Sequence, residues 1–205
     1  LAKQLASDVA EALSQSLAAK GSAVIAVSGG STPKLFFEEL SGRNLDWSRV
    51  TVTLVDERQV PETSDRSNAK LIRENLLRNR AARANFVPLY NNPVVADIAS
   101  FDAVILGMGS DGHTASFFPG GDRLSEALDP GTTKRLVAIK APGAGEPRLT
   151  FTLPVLLEAR LLGLHIEGDD KRRVLEDALK EGPIEAMPVR AILRAQKPVS
   201  LYWCN

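Results

Sequence analysis

Short apolar runs that empty into glycine-rich or charged loops, alternating with stretches of helical periodicity, predict an α/β fold. The expected architecture is a single domain over residues 1–205, with one mostly parallel, Rossmann-like sheet and helices on both faces. Ala23 to Val27, Ala103 to Leu106 and Leu161 to Ile166 carry this expectation, being continuous and apolar like parallel strands covered on both sides. The length suits one large core.

In chain order, Leu5, Val9, Leu13 and Leu17 recur every four residues and predict an amphipathic helix closed by Gly21. The Ala23–Val27 strand runs into Ser28-Gly29-Gly30-Ser31-Thr32-Pro33, and Leu35, Phe36 and Leu40 then mark a helix with Thr32 as its N-cap and Pro33 in its first turn. Val50 to Val55 is the next strand and ends in Asp56-Glu57-Arg58. Ser64 to Asn68 caps a helix carrying Leu71, Ile72, Leu76 and Leu77, and Phe86 to Leu89 reads as a short strand. Tyr90 to Ser100 is short for a parallel crossover and contains Asn91-Asn92-Pro93, so either the crossover is unusually short or, as we expect, residues are missing there. Beyond the Ala103 strand we expect a helix over Asp122–Leu128, strands over Leu136–Ala141 and Arg148–Thr152, and a helix opening near Pro154. The Leu161 strand leads through Gly168-Asp169-Asp170-Lys171 into a helix with Val174, Leu175 and Leu179. Met187–Ala195 as a last helix and Val199–Trp203 as a final strand complete the pattern.

Composition narrows the function. Lys plus Arg equal Asp plus Glu at 25 each, which leaves no global field to recruit nucleic acid or an anionic membrane. The single Cys204 excludes an internal disulfide framework and a cysteine zinc site, and fits a reducing cytoplasm. His113 and His165, far apart in sequence, do not suggest a histidine metal site. The most apolar stretch, Leu149 to Ile166, is broken by Pro154, Glu158 and Arg160 and does not read as a membrane span. The chain begins at Leu1, already in a helical pattern, which suggests residues before it.

Chemistry concentrates at two loops. Between the first strand and its helix, Gly29 and Gly30 are flanked by the hydroxyls of Ser28, Ser31 and Thr32; free backbone N–H groups and the helix dipole converge there, favouring phosphate over a plain capped turn. After the Ala103 strand, Gly107-Met-Gly109-Ser-Asp111-Gly112-His113 places a carboxylate and an imidazole where a parallel strand ends. The Gly107-x-Gly109-x-x-Gly112 spacing also matches a dinucleotide fingerprint, but no helix start and no acidic strand end follow it; Glu126 and Asp129 lie in a polar stretch. On this loop alone, catalytic and structural readings of Asp111 and His113 stay equal. Arg58 can grip an anion and Asp56 a sugar hydroxyl or a histidine, against a plain surface salt-bridge cluster. Lys171 stands in the first turn of a helix, where the dipole disfavours a cation unless an anion is bound. His165, inside a strand, reads as packed or hydrogen-bonded.

These landmarks, Ser28–Pro33, Val55–Arg58, Ser64–Asn68, Gly107–Ser116 and Gly168-x-x-Lys171, resemble in order the 6-phosphogluconolactonase family, which is similar in fold to the glucosamine-6-phosphate deaminases. The resemblance implies hydrolysis of 6-phospho-D-glucono-1,5-lactone in the oxidative pentose phosphate pathway, without metal or cofactor. It implies His113 as general base supported by Asp111, and a sugar-phosphate site built from Ser28, Gly29, Gly30, Ser31, Thr32, Arg58, Lys171, Gly109 and, for the hydroxyls, Asp56. Backbone N–H groups of Gly107–Gly112 are candidate oxyanion donors, which sequence does not decide. The deaminases continue past the shared Gly-His core to a glutamate five positions after the histidine; here that position is Phe118, which carries no proton. Deaminase-like chemistry and a non-catalytic sugar-phosphate sensor are the alternatives. Monomer and homodimer are both open.

Overall fold

The computed structural model describes residues 1–205, apart from the side chain of Ala96. Helix α1 (Ala2–Lys20) buries Leu5, Val9 and Leu13 completely and stops at Gly21, whose left-handed φ of 79° lets its N–H reach the Leu17 carbonyl. Each fully buried Leu or Val contributes roughly 1.5–3 kcal/mol, so this one stripe is enough to dock the helix. Strand β1 (Ala23–Val27) follows, then α2 (Lys34–Ser41), β2 (Val50–Leu54), β3 (Asp56–Arg58), α3 (Asn68–Asn75), β4 (Asn85–Val87) and β5 (Ala103–Leu106). The second half contains α4 (Leu124–Leu128), β6 (Leu136–Ile139), β7 (Arg148–Phe151), α5 (Leu153–Leu157), β8 (Leu161–Glu167), α6 (Asp169–Leu179), α7 (Val189–Leu193) and β9 (Ser200–Cys204).

Six strands form one sheet in the order β4-β2-β1-β5-β8-β9, and every pairing in it is parallel. From β1 the chain builds outward through β2 to β4, then returns to β5 and builds the other way. The reversal between β1 and β5 is a switch point, where right-handed crossovers on opposite faces diverge and leave a crevice at the carboxyl ends of the strands. The helices fall into two mutually contacting groups, α1, α2 and α3, and α4, α5, α6 and α7. Trp47, Phe36, Phe37, Phe101, Phe117 and Phe151 are the bulkiest parts of the core.

Three local expectations are corrected. Asp56–Arg58 is not a frayed strand end: it forms β3 of a second, antiparallel sheet, β3-β7-β6, with Asp56 opposite Thr150 and Arg58 opposite Arg148. Val55 is the hinge, donating to Val27 in the first sheet and accepting from Phe151 in the second. Thr32 does not cap α2. Pro33 stands at the N-cap with φ −78° and no side-chain cap bond, so the turn over residues 31–33 delivers the helix one residue later than its sequence suggests. The ends of β6, α4 and α7 also fall inside the expected ranges, as helix and strand ends commonly do. The Tyr90–Ser100 connection is spanned by one 3₁₀ turn, Pro93–Asp97, and Arg135 Nη2 donates to the carbonyls of Ile98 and Ala99 at 2.6 and 3.0 Å.

Candidate active site

A cleft of about 500 Å³ opens at the switch point, outside the carboxyl ends of β1, β5 and β8. It collects Ser28, Gly29, Gly30, Ser31, Thr32, Asp56, Arg58, Gly109, His113 and Lys171, residues that the sequence places up to 143 positions apart. Asp111 joins them through His113.

One wall gathers the Gly29–Thr32 loop, Arg58 and Lys171. Gly30 has φ +99° and open space where a side chain would point, while a Cβ on Gly29 would stand 1.9 Å from Asn68 Oδ1. Glycine is therefore required at 29 by close approach and at 30 by backbone conformation. Ser28 Oγ accepts from the Gly107 N–H at 3.1 Å and so staples this loop to the next; its own proton remains to be donated. Arg58 Nη1 donates to the Arg66 carbonyl at 2.7 Å and to Asn68 Oδ1 at 2.9 Å, both uncharged acceptors, while its buried Nε has no partner. Lys171 meets no carboxylate among the described residues and projects from the first turn of α6.

The opposite rim carries a hydrogen-bonded acid–imidazole pair. Asp111 Oδ1 lies 2.5 Å from His113 Nδ1 and also accepts the His113 backbone N–H at 3.1 Å. Burial alone would raise the Asp111 carboxyl, but the His113 N–H and the adjacent imidazole hold it below the ordinary carboxylate value. A Cβ at Gly109 would fall 2.1 Å from His113 Nδ1, so only glycine lets the ring lie against the loop. With Nδ1 tied to the carboxylate, Nε2 is the nitrogen left for chemistry. Three of the candidate oxyanion donors are already engaged. The N–H groups of Gly107, Gly109 and Gly112 are spent on Ser28 Oγ, the His113 carbonyl and the Gly109 carbonyl, because the turn holds itself together with them. No helix begins at this loop either; the next one is α4, and that removes the dinucleotide reading.

Asp56 is 5% exposed and already engaged, accepting the Ser116 hydroxyl at 2.5 Å and facing Arg148 Nη1 at 3.6 Å. It organises other groups as well as lining the cleft. Sequence reasoning missed Arg148. It lies in the cleft wall beside Arg58 across the β3-β7 ladder, donating to the Ala144 carbonyl at 3.0 and 3.3 Å, and burial lowers its pKa. Its signal was an arginine opening a strand otherwise read as apolar alternation, and only the pairing with β3 gives that meaning. Glu57 was also missed: it is 1% exposed and accepts from the N–H groups of Arg58, Asn68 and Ala69 and from Ser67 Oγ, fixing the start of α3 and thereby Asn68. Burial raises its pKa against those four donors. Arg66 and Glu146 bridge the two loops at the cleft mouth, the Nη2–Oε2 contact measuring 2.9 Å. His165 is packed as expected, 3% exposed, with Nε2 3.1 Å from Glu167 Oε1. Among the described residues no three His, Cys, Asp or Glu side chains gather as metal ligands, and no helix is long and apolar enough to cross a membrane.

A parallel sheet with cations on one wall of its switch-point cleft, faced by a carboxylate-tethered imidazole, has the layout of an α/β enzyme site. The chain belongs to the glucosamine-6-phosphate isomerase/6-phosphogluconolactonase family, whose model matches residues 1–203. It is 54% identical to the 6-phosphogluconolactonase of Rhizobium meliloti, over 99% of this chain and 94% of that one. It is 43% identical to the enzyme of the same name from Pseudomonas aeruginosa, over 98% and 90%. The crystal structure of a 6-phosphogluconolactonase from Shewanella baltica superposes with a TM-score of 0.94 at 39% identity, covering 98% of this chain and 92% of that one.

Proposed function

We propose that the chain hydrolyses 6-phospho-D-glucono-1,5-lactone to 6-phospho-D-gluconate, with His113 as general base. The observation that carries this is the tether of His113 Nδ1 to Asp111 on a cleft whose other wall holds Arg58 and Lys171 without carboxylate partners among the described residues. Nε2 takes a proton from water as that water attacks the lactone carbonyl. The imidazolium then returns it to the departing ring oxygen. Asp111, ionised, supports the transient positive charge. The phosphate sits on the Gly29–Thr32 backbone and is neutralised by Arg58, Lys171 and Arg148. Two arginines side by side in a ladder repel each other, and a dianion between them removes that penalty. Fixing this remote group holds the reacting carbon against the water.

Phe118 supports hydrolysis over deamination, since the position carries a buried benzyl ring instead of a second proton carrier. The test is proton release on adding freshly made 6-phosphogluconolactone, set against its spontaneous hydrolysis, with ammonia release from glucosamine 6-phosphate measured in parallel. Accelerated lactone opening without ammonia is expected. No acceleration, with the lactone still raising the melting temperature, would move the reading to a sugar-phosphate sensor.

A further inference from the structure

The His113 imidazole is stacked on Phe118, with ring centroids 4.0 Å apart and planes inclined by 25°. We propose that Phe118 is a positioning residue for the base: it acts through His113 by fixing the plane of the imidazole, and so the direction of Nε2, without itself touching the reacting atoms. The inference rests on the hydrolase reading above.

A single hydrogen bond from Nδ1 to Asp111 fixes one point of the ring and leaves it free to tilt about the bond. A flat partner against its face removes that freedom, and the close approach of the Gly109 backbone limits the ring near Nδ1. The benzyl ring is itself held. It is 3% exposed, its N–H donates to the Ser116 carbonyl at 3.1 Å, and its own carbonyl accepts from Gly121 at 3.1 Å. The same ring lies under the Arg148 guanidinium, 5.2 Å from its centroid. Arg148 is anchored on Ala144 and faces Asp56, which in turn takes the hydroxyl of Ser116, two residues before Phe118. Phe118 therefore has a fixed backbone, a fixed neighbour and little room to rotate. An aliphatic side chain of similar bulk would fill the space but present no flat face. Misplacing a base by about 1 Å can cost on the order of a hundredfold in rate, so loss of the stack should be read in turnover.

The experiment compares wild type with Phe118→Leu and Phe118→Tyr, each checked for an unchanged circular dichroism spectrum, in kcat and KM for 6-phosphogluconolactone and in the imidazole proton NMR spectrum. There are two histidines, so the His113 signal is assigned by its loss in His113→Ala. In wild type the stack predicts an upfield ring-current shift of the His113 ring protons. Phe118→Leu should abolish that shift and lower kcat by about tenfold or more at nearly constant KM, and Phe118→Tyr should restore both. A wild-type His113 without the ring-current shift would overturn the proposal whatever the variants do, including if Phe118→Leu failed to fold. So would a folded Phe118→Leu with kcat within about twofold of wild type, or one in which only KM rises, which would make Phe118 a wall for substrate. A wild-type chain that shows the shift but opens no lactone would count against the hydrolase reading alone, because the shift reports the stack independently of turnover.

Discussion

The two ends of the central sheet both bury charge, and they treat it differently. At the amino end, Asp102 is 2% exposed and fully answered: Oδ1 takes the Ser16 hydroxyl at 2.8 Å and Lys20 Nζ at 2.9 Å, and Oδ2 takes the Val24 N–H at 2.8 Å. That cluster ties α1, β1 and β5 together and leaves nothing to offer a ligand. At the carboxyl end, the buried Arg58 Nε has no partner, Arg58 and Arg148 lie side by side, and Lys171 reaches into the cleft. A buried polar group is expensive to leave unanswered, so Arg58 Nε, with Arg148 and Lys171 beside it, suits an anion that arrives later. One end is closed; the other is open to a ligand.

The contrast breaks most sharply at the base. His113→Ala should lower kcat by about 10²–10⁴-fold and leave the unfolding midpoint in urea unchanged. Asp102→Ala should do the reverse: about 2–4 kcal/mol of stability lost in urea melts, from the orphaned Ser16 hydroxyl and Val24 N–H, with kcat retained by the folded fraction. Lys20, 46% exposed, adds little to that loss. Lys171→Ala should raise KM for the phosphorylated lactone by about 10–100-fold with a smaller change in kcat, as steady-state kinetics will read. The smallest effect is on pH. Burial holds His165 below its ordinary 6.5, although Glu167 pulls the other way, so the folded chain binds fewer protons there than the unfolded one. The stability from that group is complete above 6.5 and is lost as pH falls through the window below it. Glu57 has the opposite sign, its contribution falling as pH rises above 4.5. Wild type should therefore lose more melting temperature than His165→Asn between pH 7 and pH 5.5, a difference that cancels Glu57.

Much of the open end was legible because its signals are local. Ala23–Val27, Ala103–Leu106 and the β8 run are apolar and continuous, and the glycines and charges after each mark strand ends facing one crevice. Gly29, Gly30, Gly109 and Lys171 each break a local rule in a way that asks for a ligand or a close contact. The rest depends on distant pairing. Asp56–Arg58 reads as a strand end until Thr150 and Arg148 are set opposite it, ninety or more residues away. For the same reason Arg148 passed as an ordinary strand residue, whereas Glu57, whose donors lie within twelve residues, carries no sequence pattern that marks it as buried. Asp111 and His113 were ambiguous because neighbours in sequence need not touch; the 2.5 Å contact shows that these two do. Thr32 failed as a cap because the turn before α2 is set by Pro33 and not by hydroxyl preference.

The central claim, that one wall of the cleft holds the phosphate and the other moves the proton, is tested most directly by one ratio: kcat/KM for 6-phosphogluconolactone over kcat/KM for unphosphorylated glucono-1,5-lactone. It should be measured in wild type, Lys171→Ala and His113→Ala. Lys171→Ala should lower the ratio by about tenfold or more, while His113→Ala lowers both values and leaves the ratio within about threefold. An unchanged ratio in Lys171→Ala, or a His113→Ala defect confined to the phosphorylated substrate, would contradict that division.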